Sequence, residues 1–233
     1  MQDSGSWGVC ALCGSNFSKA GMTRHMESCI RKKLRTREEK GSTDNIQKDK
    51  HYHIRVEGSG LPDYWMHLQV RADALLEDLD DFLRDTWLEC CGHLSAFTIR
   101  GNRYASDPIE DLDEVDMKIP LGEALDPGLW FLHEYDFGTT TELVLKVVSE
   151  YEGNLFIEEK PVQILSRNEP PPLTCNVCGR PATQVCTQCI YLDEGWLCDE
   201  CAKNHECGEE MLLPIVNSPR VGMCGYTGEP ANP

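Results

Sequence analysis

Residues 51–88 read HYHIRVEGSGLPDYWMHLQVRADALLEDLDDFLRDTWL. HYHIRVEG (51–58) and YWMHLQV (64–70) alternate in polarity as strands do, and the GSGLPD between them predicts a hairpin whose loop exceeds two residues. DALLEDLDDFLRDTWL then changes to helical periodicity. Asp73 is placed to cap its start, and Leu75, Leu76, Leu79, Phe82, Leu83 and Trp87 share one face. The acids opposite that face are expected on a solvated surface.

Working outward, strand-like segments recur at SAFTIRG, GLWFLHEYDFG, TELVLKVVSEY and PVQILS, while the acidic DPIEDLDEVD reads as an exposed loop. Hairpin, helix, then strands indicates an α+β domain with one sheet packed on one main helix. The order resembles a β-grasp arrangement. This central domain is expected over 51–168, where Asn168-Glu169-Pro170-Pro171-Pro172 begins a stiff extended connector. Flanking it are a small module over 1–40, joined by a linker near Gly41-Ser42, and a cysteine-rich one over 173–233.

The 233-residue chain carries a net charge of −17. Its basic residues gather in the first fifty positions and its acids in the middle region, so any phosphate contact is expected from the N-terminal segment alone. Neither a signal peptide nor a membrane-spanning run is read, and a cytoplasmic location is expected. In that reducing compartment, thirteen cysteines point to metal rather than to disulfides.

WGVCALCGSNFSKAGMTRHMESC supplies Cys10, Cys13, His25 and Cys29. A CxxC makes a knuckle with both thiolates facing a metal, and a helix puts positions 25 and 29 on one face. Phe17 and Met22 are placed as its small apolar core. So short a module needs zinc to fold. The pattern resembles a ββα finger with cysteine in place of the last histidine. In such a finger Ser18, Gly21 and Arg24 would face bases. Only Arg24 suits a bidentate contact, so sequence-specific reading of DNA is not expected. The run Arg31, Lys32, Lys33, Arg35 and Arg37 reads as a solvated helix extension balanced by Glu38 and Glu39, with phosphate binding as its alternative use.

TCNVCGRPATQVCTQCIYLDEGWLCDECAKNHECG holds Cys175/Cys178, Cys186/Cys189, Cys198/Cys201 and His205/Cys207, enough donors for two tetrahedral zinc ions and about three in the whole chain. The pattern resembles B-box and MYND-like zinc modules. That resemblance implies interleaving: Cys175, Cys178, Cys198 and Cys201 on one ion, Cys186, Cys189 and His205 on the other, with Cys207 or Cys224 completing the second. A thiol oxidoreductase carries one reactive CxxC rather than three. Adjacent Cys90 and Cys91 read as small buried residues that do not readily share one ion, and His51, His53, His67 and His133 stay unassigned.

Pro62 and Trp65 in LPDYWMHLQV, the helix 73–88, His93 and Phe97 in GHLSAFTIRGNRY, and Tyr135-Asp136-Phe137-Gly138 together resemble the Ri-plasmid open-reading-frame-three-like family, also labelled TnpR passenger proteins of insertion elements. The resemblance covers roughly residues 51–165 and implies a link to mobile elements. It departs at Ser95, where many relatives carry a second histidine. It departs again at Thr139-Thr140-Thr141-Glu142, where many carry acids, a tryptophan and a histidine. No nucleophile constellation for strand exchange is read, and no catalytic or organic-cofactor residue is assigned. The sequence therefore points to a zinc-binding, non-catalytic adaptor with protein partners. The alternatives are a nucleic-acid regulator working through the N-terminal segment, and an enzyme with a pocket around His93, Tyr135 and Asp136.

Overall fold

The computed structural model describes residues 5–39, 49–156, 160–192 and 194–228, so the linker expected at Gly41-Ser42 lies outside the described residues. Strands β1 (Trp7–Cys10) and β2 (Asn16–Ser18) form a hairpin that leads into the long helix α1 (Lys19–Glu39). Next come β3 (Lys50–Gly58), β4 (Leu61–Arg71) and helix α2 (Leu76–Leu83). The middle region continues through β5 (Ser95–Ile99), β6 (Asn102–Ala105), β7 (Val115–Asp116), a one-turn helix α3 (Leu121–Ala124), β8 (Trp130–Tyr135), β9 (Thr141–Glu152) and β10 (Val162–Asn168). The C-terminal part adds β11 (Gln184–Cys186), β12 (Trp196–Leu197), the turn of helix α4 (Asp199–Ala202) and β13 (Leu212–Pro214).

The class is α+β. Among the described residues, ten strands share one sheet in the order β2-β1-β10-β4-β3-β9-β8-β5-β6-β7, antiparallel except for the β6–β7 pair. The N-terminal hairpin extends this sheet, with Gly8 opposite Asn168. A Cβ at Gly8 would stand 2.3 Å from the Arg167 carbonyl oxygen and 2.7 Å from the Trp65 ring, so only glycine lets β1 approach this closely. The remaining three strands form a separate small sheet, β12-β11-β13.

Strands β3 and β4 are buried on both faces, and their period of two divides the residues cleanly. Tyr52, Ile54, Val56, Tyr64, Met66, Leu68 and Val70 enter the main core with Leu76, Leu79, Leu83 and Trp87 of the helical segment. Trp65 faces the other way, into a second core with Met22, Met26 and Ile30 of α1 and with Leu155 and Leu165. His51, His53, His67 and Gln69 are also buried. Gln69 accepts from the Tyr151 hydroxyl at 3.0 Å and the Leu155 amide at 3.1 Å.

Three local expectations are corrected. The hairpin turn is only Ser59-Gly60, since Gly58 already faces Leu61; Gly60 takes the positive φ of 69° that a tight turn needs. Asp73 does not cap the helix. It is drawn to Arg71, which donates to both its oxygens at 2.8 and 2.5 Å, while Asp78 accepts from the Leu75 amide at 2.7 Å and secures the helix start. Asp80 is not on a solvated face: at 2% exposure it accepts from Ser95 Oγ at 2.8 Å and lies 2.6 Å from His133 Nε2. The helix also widens into a single π-type turn over Arg84–Leu88, which buries Trp87 and Leu88 together.

Candidate metal centres

Among the described residues, four groups of Cys and His side chains converge, each with its donor atoms within 4.8 Å of one another. A tetrahedral ion with thiolates at about 2.3 Å and imidazole nitrogens at about 2.0–2.1 Å requires edges of about 3.8 Å between sulfurs and about 3.6 Å from sulfur to nitrogen. A disulfide would instead bring two sulfurs to about 2.05 Å. The clusters can be judged against those lengths.

In the first, β1 ends at Cys10, a knuckle turn presents Cys13, and α1 brings His25 and Cys29 one turn apart. Cys10 and Cys29 sulfurs are 3.9 Å apart, and Cys13 Sγ is 3.4 Å from His25 Nε2. The knuckle is closed by the Gly14 amide donating to the Cys10 carbonyl at 2.8 Å, with Gly14 at φ 74°. Phe17 stacks on His25 at 4.1 Å, and Met22 is fully buried. Burial, then the Cys10 sulfur, pushes the Cys29 thiol up to about 12, whereas hydrogen bonding by Ser15 draws Cys13 down.

The same knuckle recurs at Cys175-Asn176-Val177-Cys178-Gly179: the Gly179 amide donates to the Cys175 carbonyl at 2.9 Å, and Gly179 sits at φ 72°. Cys175 and Cys178 meet Cys198 and Cys201 at the start of α4, with Cys178 and Cys198 sulfurs 3.6 Å apart. Arg180 Nε donates to Cys178 Sγ at 3.3 Å and holds that thiol near 6, while the Cys178 sulfur pushes Cys201 up to about 12. Cys186 and Cys189 meet His205 and Cys207; Cys189 Sγ is 3.4 Å from His205 Nε2 and 3.6 Å from Cys207 Sγ. The pairs therefore interleave, and Cys207, not Cys224, stands beside Cys189.

Cys224 goes elsewhere. It lies with Cys90, Cys91 and His93, a group absent from the sequence assignment. Cys91 is exposed and Cys90 half-buried, and their sulfurs are 3.6 Å apart, which corrects the reading of this pair as small buried residues. The sequence signal was the competition between Cys207 and Cys224 for one place.

Around this fourth group the Tyr135-Asp136-Phe137-Gly138 turn acts as a support. The Tyr135 hydroxyl accepts from the amides of Cys90 and His93, both at 3.3 Å, and donates to Glu89 at 2.9 Å. Asp136 accepts from Arg220 at 2.7 Å and from the amides of Gly138 and Thr139 at 3.0 and 3.2 Å. Burial opposes its charge, but those donors prevail and the carboxyl lies below its ordinary value. A cavity of about 400 Å³ opens nearby between Leu94, Arg103, Ile109, Leu112 and Phe137, and none of His93, Tyr135 and Asp136 lines it.

Of the basic run, Arg31, Lys32, Lys33 and Arg35 are exposed along α1, and so is Arg24. Arg37 turns inward and donates to the carbonyls of Asn154 and Phe156 at 2.7 and 2.8 Å. The side chains of Glu38 and Glu39, expected to balance this run, lie outside the described residues. Among the described residues no helix is long and apolar enough to cross a membrane.

No protein-family model matches the chain, and no curated protein matches it. Among solved structures, a crystal structure of a protein of unknown function from Methanosarcina mazei Go1 is similar over 48% of this chain, with 20% identity and a TM-score of 0.42. The match spans 66% of that protein, just under two thirds of its length.

Proposed function

We propose that the chain is a zinc-binding, non-catalytic adaptor or recognition protein of the mobile-element-associated family that its middle region resembles. The acidic α+β body, likened by its sequence to a β-grasp arrangement, is the recognition part, and the small modules present surfaces to protein partners. One observation carries this reading: Cys10/Cys13/His25/Cys29, Cys175/Cys178/Cys198/Cys201 and Cys186/Cys189/His205/Cys207 are each complete four-donor sets. A zinc ion with four protein ligands has no position left for a reacting water, whereas catalytic zinc keeps one open. Softness of the donors, all sulfur or imidazole, selects zinc over magnesium or calcium.

Native mass spectrometry of the chain purified at neutral pH without added zinc tests the assignment, beside Cys13→Ser, Cys178→Ser and Cys189→Ser. Each variant is expected to lose one ion. Unchanged counts would refute the ligand sets. A turnover that required any of these ions would refute the non-catalytic role, as would failure of repeated affinity captures to return a partner.

The exposed face of Arg31, Lys32, Lys33 and Arg35 favours one second reading, nucleic-acid contact through α1. It predicts a salt-dependent mobility shift with DNA or RNA that disappears when residues 1–40 are removed.

A further inference from the structure

We infer that Cys90, Cys91, His93 and Cys224 form a fourth zinc site, which staples the C-terminal segment onto the central sheet. The sulfur–sulfur edges match those of a tetrahedral ion, and the imidazole nitrogen stands a few tenths of an ångström closer to the sulfurs than the edge it would span around one. Cys90 and Cys91 sulfurs are 3.6 Å apart, Cys91 and Cys224 3.8 Å, and His93 Nε2 lies 3.3 Å from Cys224 Sγ and 3.0 Å from Cys91 Sγ. The donor set, three thiols and one imidazole, matches that of the finger and of the Cys186 group.

Neighbouring cysteines ordinarily diverge, and here the backbone is bent to make them converge. After the wide helical turn ends at Leu88, Glu89 accepts from the Gly92 amide at 2.5 Å, and Gly92 takes φ 77°. The Tyr135 hydroxyl gathers the Cys90 and His93 amides from below. The fourth donor is also held in a special conformation: Cys224 has φ 46°, a left-handed backbone uncommon for a residue with a Cβ.

The segment that carries Cys224 is anchored by buried polar groups. Ser218 Oγ donates to the Trp87 carbonyl at 2.6 Å. Arg220, fully buried, donates to Asp136 at 2.7 Å, to Thr141 Oγ1 at 3.0 Å, to the Thr139 carbonyl at 3.1 Å and to Cys90 Sγ at 3.4 Å. Three thiolates and one zinc ion leave a net charge of −1, and Asp136 adds another negative charge close by, 3.5 Å from His93 Nε2. A guanidinium excluded from water is the counter-charge such a centre needs. The site lies between sequence positions far apart, so its ion closes a long loop rather than organising a local one.

Alkylation mapping of the full chain tests this directly. Under native, reducing conditions at neutral pH, Cys91 and Cys224 are expected to resist iodoacetamide despite their exposure, and to react once a zinc chelator is added. Rapid alkylation of both while metal is retained would overturn the site. So would protection released by a stronger reductant rather than by chelator, since that marks a disulfide. Native mass spectrometry of C91S/C224S, which keeps only two donors, is expected to show one ion fewer than the parent; an equal count overturns the site. Because the same maps report Cys13, Cys178 and Cys189 separately, failure here is distinct from failure of the three-site reading.

Discussion

His53 and His67 form a buried pair whose titration should weaken the fold in acid. His53 Nε2 and His67 Nδ1 are 2.7 Å apart, and the outer nitrogens, His53 Nδ1 and His67 Nε2, have no hydrogen-bond partner among the described residues. Burial, reinforced for His53 by the Arg55 charge, lowers His53 from 6.5 to about 4 and draws His67 down in the same direction. The unfolded chain therefore takes up a proton near pH 6.5 that the folded chain refuses until about pH 4. Stability from this source is complete above about pH 6.5, is lost as pH falls through that window, and stops falling below about 4. The whole effect for His53 is about 3 kcal/mol, of which about 1 kcal/mol is lost between pH 7.5 and 5.5. Thiolate–metal centres also weaken in acid, so the comparison must be with His53→Gln, which keeps those centres and removes one titrating ring. Urea unfolding followed by tryptophan fluorescence at both pH values should show the parent losing about 1 kcal/mol more than the variant. Equal losses would refute the reasoning.

Three further outcomes are expected. Asp80→Ala strands Ser95 and His133 in the core and should cost about 3 kcal/mol in urea unfolding; a change below about 1 kcal/mol would show that the network is dispensable. Gly8→Ala forces β1 away from β10, at roughly 2 kcal/mol. It should speed amide exchange at Trp7–Cys10 while the finger keeps its ion; unchanged exchange would mean the contact with Arg167 and Trp65 relaxes freely. Stepwise chelation followed by native mass spectrometry and alkylation mapping should free Cys91 and Cys224 first, because both are exposed whereas each other cluster contains a buried cysteine; their release last would contradict that order.

The sequence displayed its elements well where a single face decides them. The strands at 51–58, 64–70, 128–138 and 141–151 were legible from alternation, and the helix from Leu76, Leu79, Leu83 and Trp87. It displayed less where two faces compete. His53, His67 and Gln69 look like the polar side of a half-buried strand, and they are buried because the N-terminal module and the 151–156 segment cover that face. Asp80 misleads for the same reason, since its partners Ser95 and His133 arrive from β5 and β8. The Asp73 cap lost to Arg71, a residue two positions away with a guanidinium able to hold both carboxylate oxygens. Metal donors show a similar division. CxxC pairs with a local histidine are visible as spacing, whereas Cys224 joins Cys90, Cys91 and His93 only through tertiary packing, which no local spacing can announce.

The four clusters differ in what surrounds them, and that difference bears on what an ion in each would do. Around the Cys175 group the buried core consists of Cys175, Leu197, Cys198 and Ala202, so half of it is the ligands themselves. Too little apolar surface is enclosed there to offset the entropy of ordering the loops, so an ion held by these four thiols would supply the organisation. The finger stands between: Met22, Met26 and Ile30 give it a small core, completed only by Trp65, Leu155 and Leu165 from the central body. The Cys90 group rests against the main core, where Trp87, Leu88 and Tyr135 are already buried with Val185 and Val221 of the C-terminal part. An ion at that place has no fold left to create. Its effect is to fix the position of one part of the chain against another, which is the role that geometry, charge and sequence separation assign to it.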